Sequence, residues 1–192
     1  MGSEMCIRDS SGSAQGGEID INGGDMVTVS AGGSIATNSA GTALGGSIVI
    51  DSDAIDVTAT NSRIASNASA GSTGGAVDLN VNQTVAVNMA GKIVTANSGS
   101  AVGGAVTIDA NEITVTAVNS RIGSQTSASG EGGSVALTTP SITVSDSASI
   151  DTVSSATTMA GGDGGKVTIA SADVNLPECC ENQIVKVSEK LI

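Results

Sequence analysis

Seven basic residues are spread over this 192-residue chain, and three of them, Arg63, Lys92 and Arg121, fall 29 positions apart. In a chain that repeats with that period they stack into one cationic column, an arrangement suited to gripping an acidic polysaccharide. The same pattern also describes an ordinary solvated face, where charge discourages lateral pairing of sheets. Both readings place the column on the outside.

Carboxylates cluster once, at Asp51, Asp53 and Asp56. A calcium-dependent lyase uses clustered carboxylates beside a base that abstracts a proton. No other copy of the repeat carries the trio, and Asp is at home in turns between strands, so a turn is the expectation. Gly161 to Gly165 reads GGDGG, half of a calcium-binding nonapeptide turn. That site needs the motif in successive turns, and one occurrence reads instead as a long turn. Cys179 and Cys180 are adjacent, which strains a disulfide, and a chain with no His lacks the further ligands of a zinc site. Thr58 with Thr60 and Thr114 with Thr116 suggest an ice-binding array, but other copies hold Thr28 with Ser30 and Ala86 with Asn88. No residue is nominated as catalytic, metal-ligating or cofactor-binding, and no cofactor is implied. Arg63, Lys92 and Arg121 remain as a candidate surface ligand column.

What positions that column is a phrase repeated six times: two glycines, a variable residue, then two aliphatic residues one apart. It begins at Gly16, Gly45, Gly74, Gly103, Gly132 and Gly164, at intervals of 29 residues and finally 32. The pairs Ile19 and Ile21, Ile48 and Ile50, Val77 and Leu79, Val106 and Ile108, Val135 and Leu137, and Val167 and Ile169 alternate as one face of a strand does. A second pair follows at a near-constant offset, from Val27 and Val29 to Val174 and Leu176. A third mark comes 18 or 19 residues after the first glycine, at Ile35, Ile64, Ile93, Ile122 and Ile150. Three short strands per copy, about six copies, is the arithmetic of a right-handed parallel β-helix of 29-residue coils. The second strand starts 11 residues after the first glycine in copies one and three and 10 in copies two and four. Gly33 and Gly91 alternate with Ser62 and Ser120, so a 58-residue double repeat underlies the shorter one.

Composition supports an elongated, all-β domain. There is no Phe, Tyr or Trp, yet 39% of residues are apolar, so the core must be thin and built from aliphatic ladders. A net charge of −12 has the wrong sign for nucleic acid or an anionic membrane surface. No run of about 18 apolar residues is present to insert into a membrane. Residues 1–12 contain EMCIRDS, which resembles translated sequencing-adapter read-through, and are excluded as an artefact; residues 13–176 form the β-helix domain. Residues 177–192, with five charged residues, are either a capping strand or an artefactual tail.

Two copies, GGAVTIDANEITVTAVNSRIGSQTSASGE and GGSIVIDSDAIDVTATNSRIASNASAGST, resemble the rod repeats of filamentous haemagglutinin-like adhesins of bacterial two-partner secretion. The resemblance covers about residues 15–176. It implies a secreted or surface-exposed structural and adhesive rod segment, not an enzyme, whose partners are glycans or proteins of a host or neighbouring cell. It further implies an outer-membrane transporter, engaged through an export domain missing here: that domain typically carries Asn-Pro-Asn motifs, and the prolines of this chain are Pro140 and Pro177. The alternatives are a polysaccharide-active β-helix enzyme of lyase type and an ice-binding solenoid.

Overall fold

Aliphatic residues at alternate positions form strands here because every second side chain drops into one shared interior. A computed structural model describes residues 5–6, 11–12, 16–42, 44–127, 130–154 and 164–176. Its elements in chain order are β1 (Met5–Cys6), β2 (Ser11–Gly12), β3 (Glu18–Val29), β4 (Ser34–Gly41), β5 (Ser47–Thr58), β6 (Arg63–Ala70) and β7 (Ala76–Asn88). They continue as β8 (Lys92–Asn97), β9 (Ala105–Val115), β10 (Arg121–Thr126), β11 (Ser134–Val144), β12 (Ser149–Ser154) and β13 (Lys166–Asn175).

Long and short strands segregate into two sheets, and every pairing is parallel. The long-strand sheet runs β3-β5-β7-β9-β11-β13, and the short-strand sheet runs from β1 and β2 on β4 through β6, β8 and β10 to β12. Among the described residues the first five coils each contribute one strand to each sheet, which is a parallel β-helix. The first two expected strands of a coil prove to be one long strand bent over a corner, which pairs with the same neighbours on both sides of the bend. Register shifts between Asn22 and Gly24, Ser52 and Ala54, and Val81 and Thr84 mark where the bend is taken up. The third strand is longer than expected: β4 and β6 extend through Gly41 and Ala70, well into what read as loop.

The interior is a set of aliphatic columns. Ile64, Ile93 and Ile122 stack from the short-strand sheet against Ile48, Ile50, Ile55, Leu79, Ile108 and Ile113 from the long one, all essentially inaccessible to water. Ser66 and Ser124 are also buried, and their hydroxyls donate to the Gly46 and Gly104 carbonyls at 2.7 and 2.9 Å. Thr37 and Thr95 occupy the same column in the intervening coils, but among the described residues their buried hydroxyls have no hydrogen-bond partner.

The double glycines mark the closest approach between coils. A Cβ on Gly75 would lie within 3.0 Å of the Gly46 carbonyl oxygen and the Ser66 hydroxyl, and one on Gly104 equally close to the Gly75 carbonyl oxygen and Thr95. A Cβ on Gly45 or Gly74 would strike the backbone of Gly75 or Gly104. None of these glycines has a positive φ, so they serve by lacking a side chain.

The double repeat is visible at the other two corners. Coils one and three carry an extra residue at the bend of the long strand, whereas coils two and four carry it in the turn that follows. In coils one and three that turn has two successive left-handed residues, Ala31 with Gly32 and Met89 with Ala90, closed by Gly33 N–H to Ser30 O and Gly91 N–H to Asn88 O, both 2.9 Å. These are type I′ turns. Coils two and four have positive φ at the first and third turn positions, at Ala59 with Asn61 and Ala117 with Asn119, closed by Ser62 N–H to Ala59 O (3.1 Å) and Ser120 N–H to Ala117 O (3.2 Å). This is the type II pattern, which Asn tolerates. The buried Ser62 and Ser120 hydroxyls accept from the turn N–H groups of Gly32 (3.0 Å) and Ala90 (3.1 Å) in the coil before. A Cβ on Gly91 would strike the Val57 carbonyl, which explains why glycine alternates with serine at this position.

Three substitutions test the packing by urea unfolding. Gly104→Ala should destabilise the rod by about 3 kcal/mol, because its Cβ would meet the Gly75 carbonyl oxygen as well as the buried Thr95 side chain. Gly71→Ala is the control, since its Cβ meets only Thr42 Cγ2 at 3.6 Å, and it should shift stability by less than about 1 kcal/mol. Thr95→Val should raise stability by about 1 kcal/mol, because it replaces an unpartnered buried hydroxyl with a methyl of similar volume.

Candidate functional site

Residues at the start of each short strand alternate outward, and the ladder brings Ser34, Arg63, Lys92, Arg121 and Ser149 into one column. The three cations expected to stack are therefore on successive rungs, about 4.8 Å apart. Like charges so placed repel. Arg121 is relieved by the coil above: its Nε donates to the Asp151 carboxylate at 2.9 and 3.1 Å, its Nη2 bonds the same group, and its Nη1 donates to Gln125 Oε1 at 3.2 Å. Arg63 and Lys92 are exposed and, among the described residues, have no ion-pair partner. The column thus divides into one internally neutralised arginine and two cations free for an external anion.

Beside those two lies a groove of about 270 Å³, lined by Thr60, Asn61, Ser62, Arg63, Ala90, Lys92 and Asn119. Asn61 and Asn119 of the turns in coils two and four line it, with Ala90 of the turn in coil three between them. The lining offers amides, hydroxyls and two cations, and no carboxylate. Its volume is just under that of pockets enclosing a drug-sized molecule, about 300–1,000 Å³. It can therefore seat one small anionic group of a larger ligand lying across the surface.

A second groove, of about 360 Å³, follows the same sheet towards the far ends of its strands. Its floor is the outward column Asn38, Asn67, Ala96 and Gln125, in which Asn67 Nδ2 donates to Asn38 Oδ1 at 3.0 Å. Sequence reasoning missed these residues because their segment read as loop. Their 29-residue spacing is the signal that would have found them.

The acidic trio is dispersed by the bend of β5. Asp51 accepts from Asn80 Nδ2 and Asp53 from Asn82 Nδ2, both at 2.8 Å, and Asp56 from Asn88 Nδ2 at 3.4 Å. Each carboxylate is thus engaged by an asparagine of coil three. Among the described residues no three His, Cys, Asp or Glu side chains come together to hold a metal ion. The threonine pairs are out of step with one another: the stacked column reads Thr28, Asp56, Ala86, Thr114 and Thr143, an interrupted array. Gly161 to Asp163 and Cys179 with Cys180 lie outside the described residues.

The stretch set aside as read-through shares part of its backbone with the fold. Met5 and Cys6 pair with Ile35 and Ala36, and Ser11 and Gly12 with Ala40 and Gly41, all in parallel. No helix among the described residues is long and apolar enough to cross a membrane. Comparison with protein-family models, with curated proteins and with solved structures found no match to this chain.

The division within the cation column has measurable energetic consequences. Asp151→Ala should cost about 1 kcal/mol of stability, a loss that shrinks at high salt, because the ion pair is only partly shielded from water. Arg63→Ala removes one member of a repelling stack and should be neutral or stabilising by a few tenths of a kcal/mol. Urea unfolding of the two variants at low and high ionic strength reads both outcomes.

Proposed function

We propose that this chain is a segment of a structural rod, secreted or exposed on a bacterial surface, whose short-strand face contacts acidic glycans and performs no catalysis. The observation that carries the reading is the pairing of an uninterrupted coil-to-coil ladder with unneutralised cations on one face. The ladder allows length to be added without a new interface, and length is what a rod supplies. Arg63 and Lys92, with the amides of Asn61 and Asn119 beside them, match the carboxylate or sulfate groups of a polysaccharide. The repeat sequences resemble those of filamentous haemagglutinin-like adhesins, and on that reading export runs through an outer-membrane transporter and a further domain.

A lyase reading is favoured by one feature, the groove beside Arg63. Against it, the lining holds no carboxylate, and Asp56, the nearest member of the acidic trio in sequence, is bonded to Asn88 instead. The ice-binding reading finds Asp56 and Ala86 in the middle of its threonine column.

Immobilised polygalacturonate and dextran sulfate provide the test. The purified chain should be retained at low salt and released as salt rises, and Arg63→Ala with Lys92→Ala should weaken binding by more than about ten-fold, the loss of two charge-assisted contacts in a solvated site. Release of shortened or unsaturated sugar products over hours of incubation would replace the adhesive reading with the enzymatic one.

A further inference from the structure

Charge is divided between the two sheets. The long strands from β3 to β11 carry three acidic residues in β3, three in β5, one in β7 and two in β9, and no basic residue. The short strands β4, β6, β8 and β10 carry Arg63, Lys92 and Arg121 and no acidic residue. The division ends in the last coils, where β12 brings Asp151 to Arg121 and β13 holds both Lys166 and Asp173.

The ladder spaces the carboxylates in the first half of the long strands. Asp20 and Asp78 share one outward column, separated by Val49, and Asp51 and Asp109 share the next, separated by Asn80. Asp20, Asp51 and Asp109 are exposed and Asp78 is half-buried. Coils one to four thus each give one carboxylate to a row that zigzags between two columns, so that no two of these charges are rung partners. The cations also come one per coil, in coils two, three and four. Both rows repeat with the parallel ladder, at about 4.8 Å per rung.

We infer that the short-strand face of one copy of this chain docks on the long-strand face of a second copy lying alongside it, with Arg63 and Lys92 set against the aspartate row. Charge complementarity names the occupant: the two unneutralised cations favour a partner carrying anions at the rung spacing, and the chain's own long-strand face carries them at that spacing. The two rows are commensurate, so a pairing made at one rung is repeated at the next without either rod bending. The contact joins two different faces and is not closed by symmetry, so further rods add sideways. It does not depend on the glycan reading, with which it shares only the cation column.

A net charge of −12 makes copies repel at a distance, so the test is sedimentation velocity at physiological ionic strength, where interactions beyond about 8 Å are screened. Mass should rise with protein concentration, and electron micrographs should show rods aligned side by side. Salt at about 1 M, with a screening length of about 3 Å, should return the monomer. Arg63→Glu with Lys92→Glu, and separately Asp78→Lys with Asp109→Lys, should each weaken association by about ten-fold or more, attractive contacts having become repulsive. An equimolar mixture of the two double variants should recover it, because each then offers the other a complementary face. Asp78 and Asp109 take no part in the glycan site, so the second double variant tests the docking alone. A chain that stays monomeric at every concentration overturns the inference. So does association that the charge swaps leave unchanged or that the mixture fails to restore.

Discussion

Backbone must approach backbone at the Gly-Gly corner, and the rest of the rod follows from that contact. Gly16 N–H donates to Leu44 O, Gly45 N–H to Thr73 O and Gly74 N–H to Val102 O, at 2.8 to 2.9 Å, while Ser47, Ala105 and Ser134 donate back to the second glycine of the preceding coil. The chain is held on both sides of the corner, and a side chain at either glycine would enter its neighbour's backbone. Since each corner is braced by the next, the spacing between coils is set by the hydrogen bonds of the ladder. The aliphatic columns then fall into register.

Keeping that register requires each coil to take the same path length between the glycines and the isoleucine of its short strand. Coils one to four meet this in two ways, with the extra residue at the bend of the long strand or in the turn after it. The choice has chemical consequences. Where the turn is longer, Asn61 and Asn119 project beside the cations and a buried serine serves the coil below. Where it is shorter, Gly91 leaves room for the Val57 carbonyl. The groove beside Arg63 and Lys92 is thus lined by turns of both kinds, with Asn61 and Asn119 from the longer ones and Ala90 from the shorter one between them.

Much of this was legible in the sequence, because a period of 29 converts spacing directly into stacking. The isoleucine column at Ile64, Ile93 and Ile122, the alternation of Ser62 with Gly91, and the outward stack of Arg63, Lys92 and Arg121 required only a count of residues. The parts that were not legible depend on displacements away from that count. Asp151 lies 30 residues beyond Arg121 and reaches it diagonally, two residues along the neighbouring strand from its rung partner Ser149. Asp56 meets Asn88 across a register shift, so a trio adjacent in sequence has partners that no fixed period lines up. The continuity of the long strand was hidden for the same reason, since apolar alternation is interrupted at a bend whereas pairing with the same neighbouring strand resumes after one or two residues.

The hydrogen bonds between coils all run along the rod, which sets how it bears load. Tension applied across a whole end face pulls every bond of a rung at once, and failure demands that they break together. Tension applied to one chain terminus meets the outermost strand edge first and opens its bonds in succession. The same molecule is therefore a stiff strut when gripped by its face and a peeling ribbon when gripped by its end.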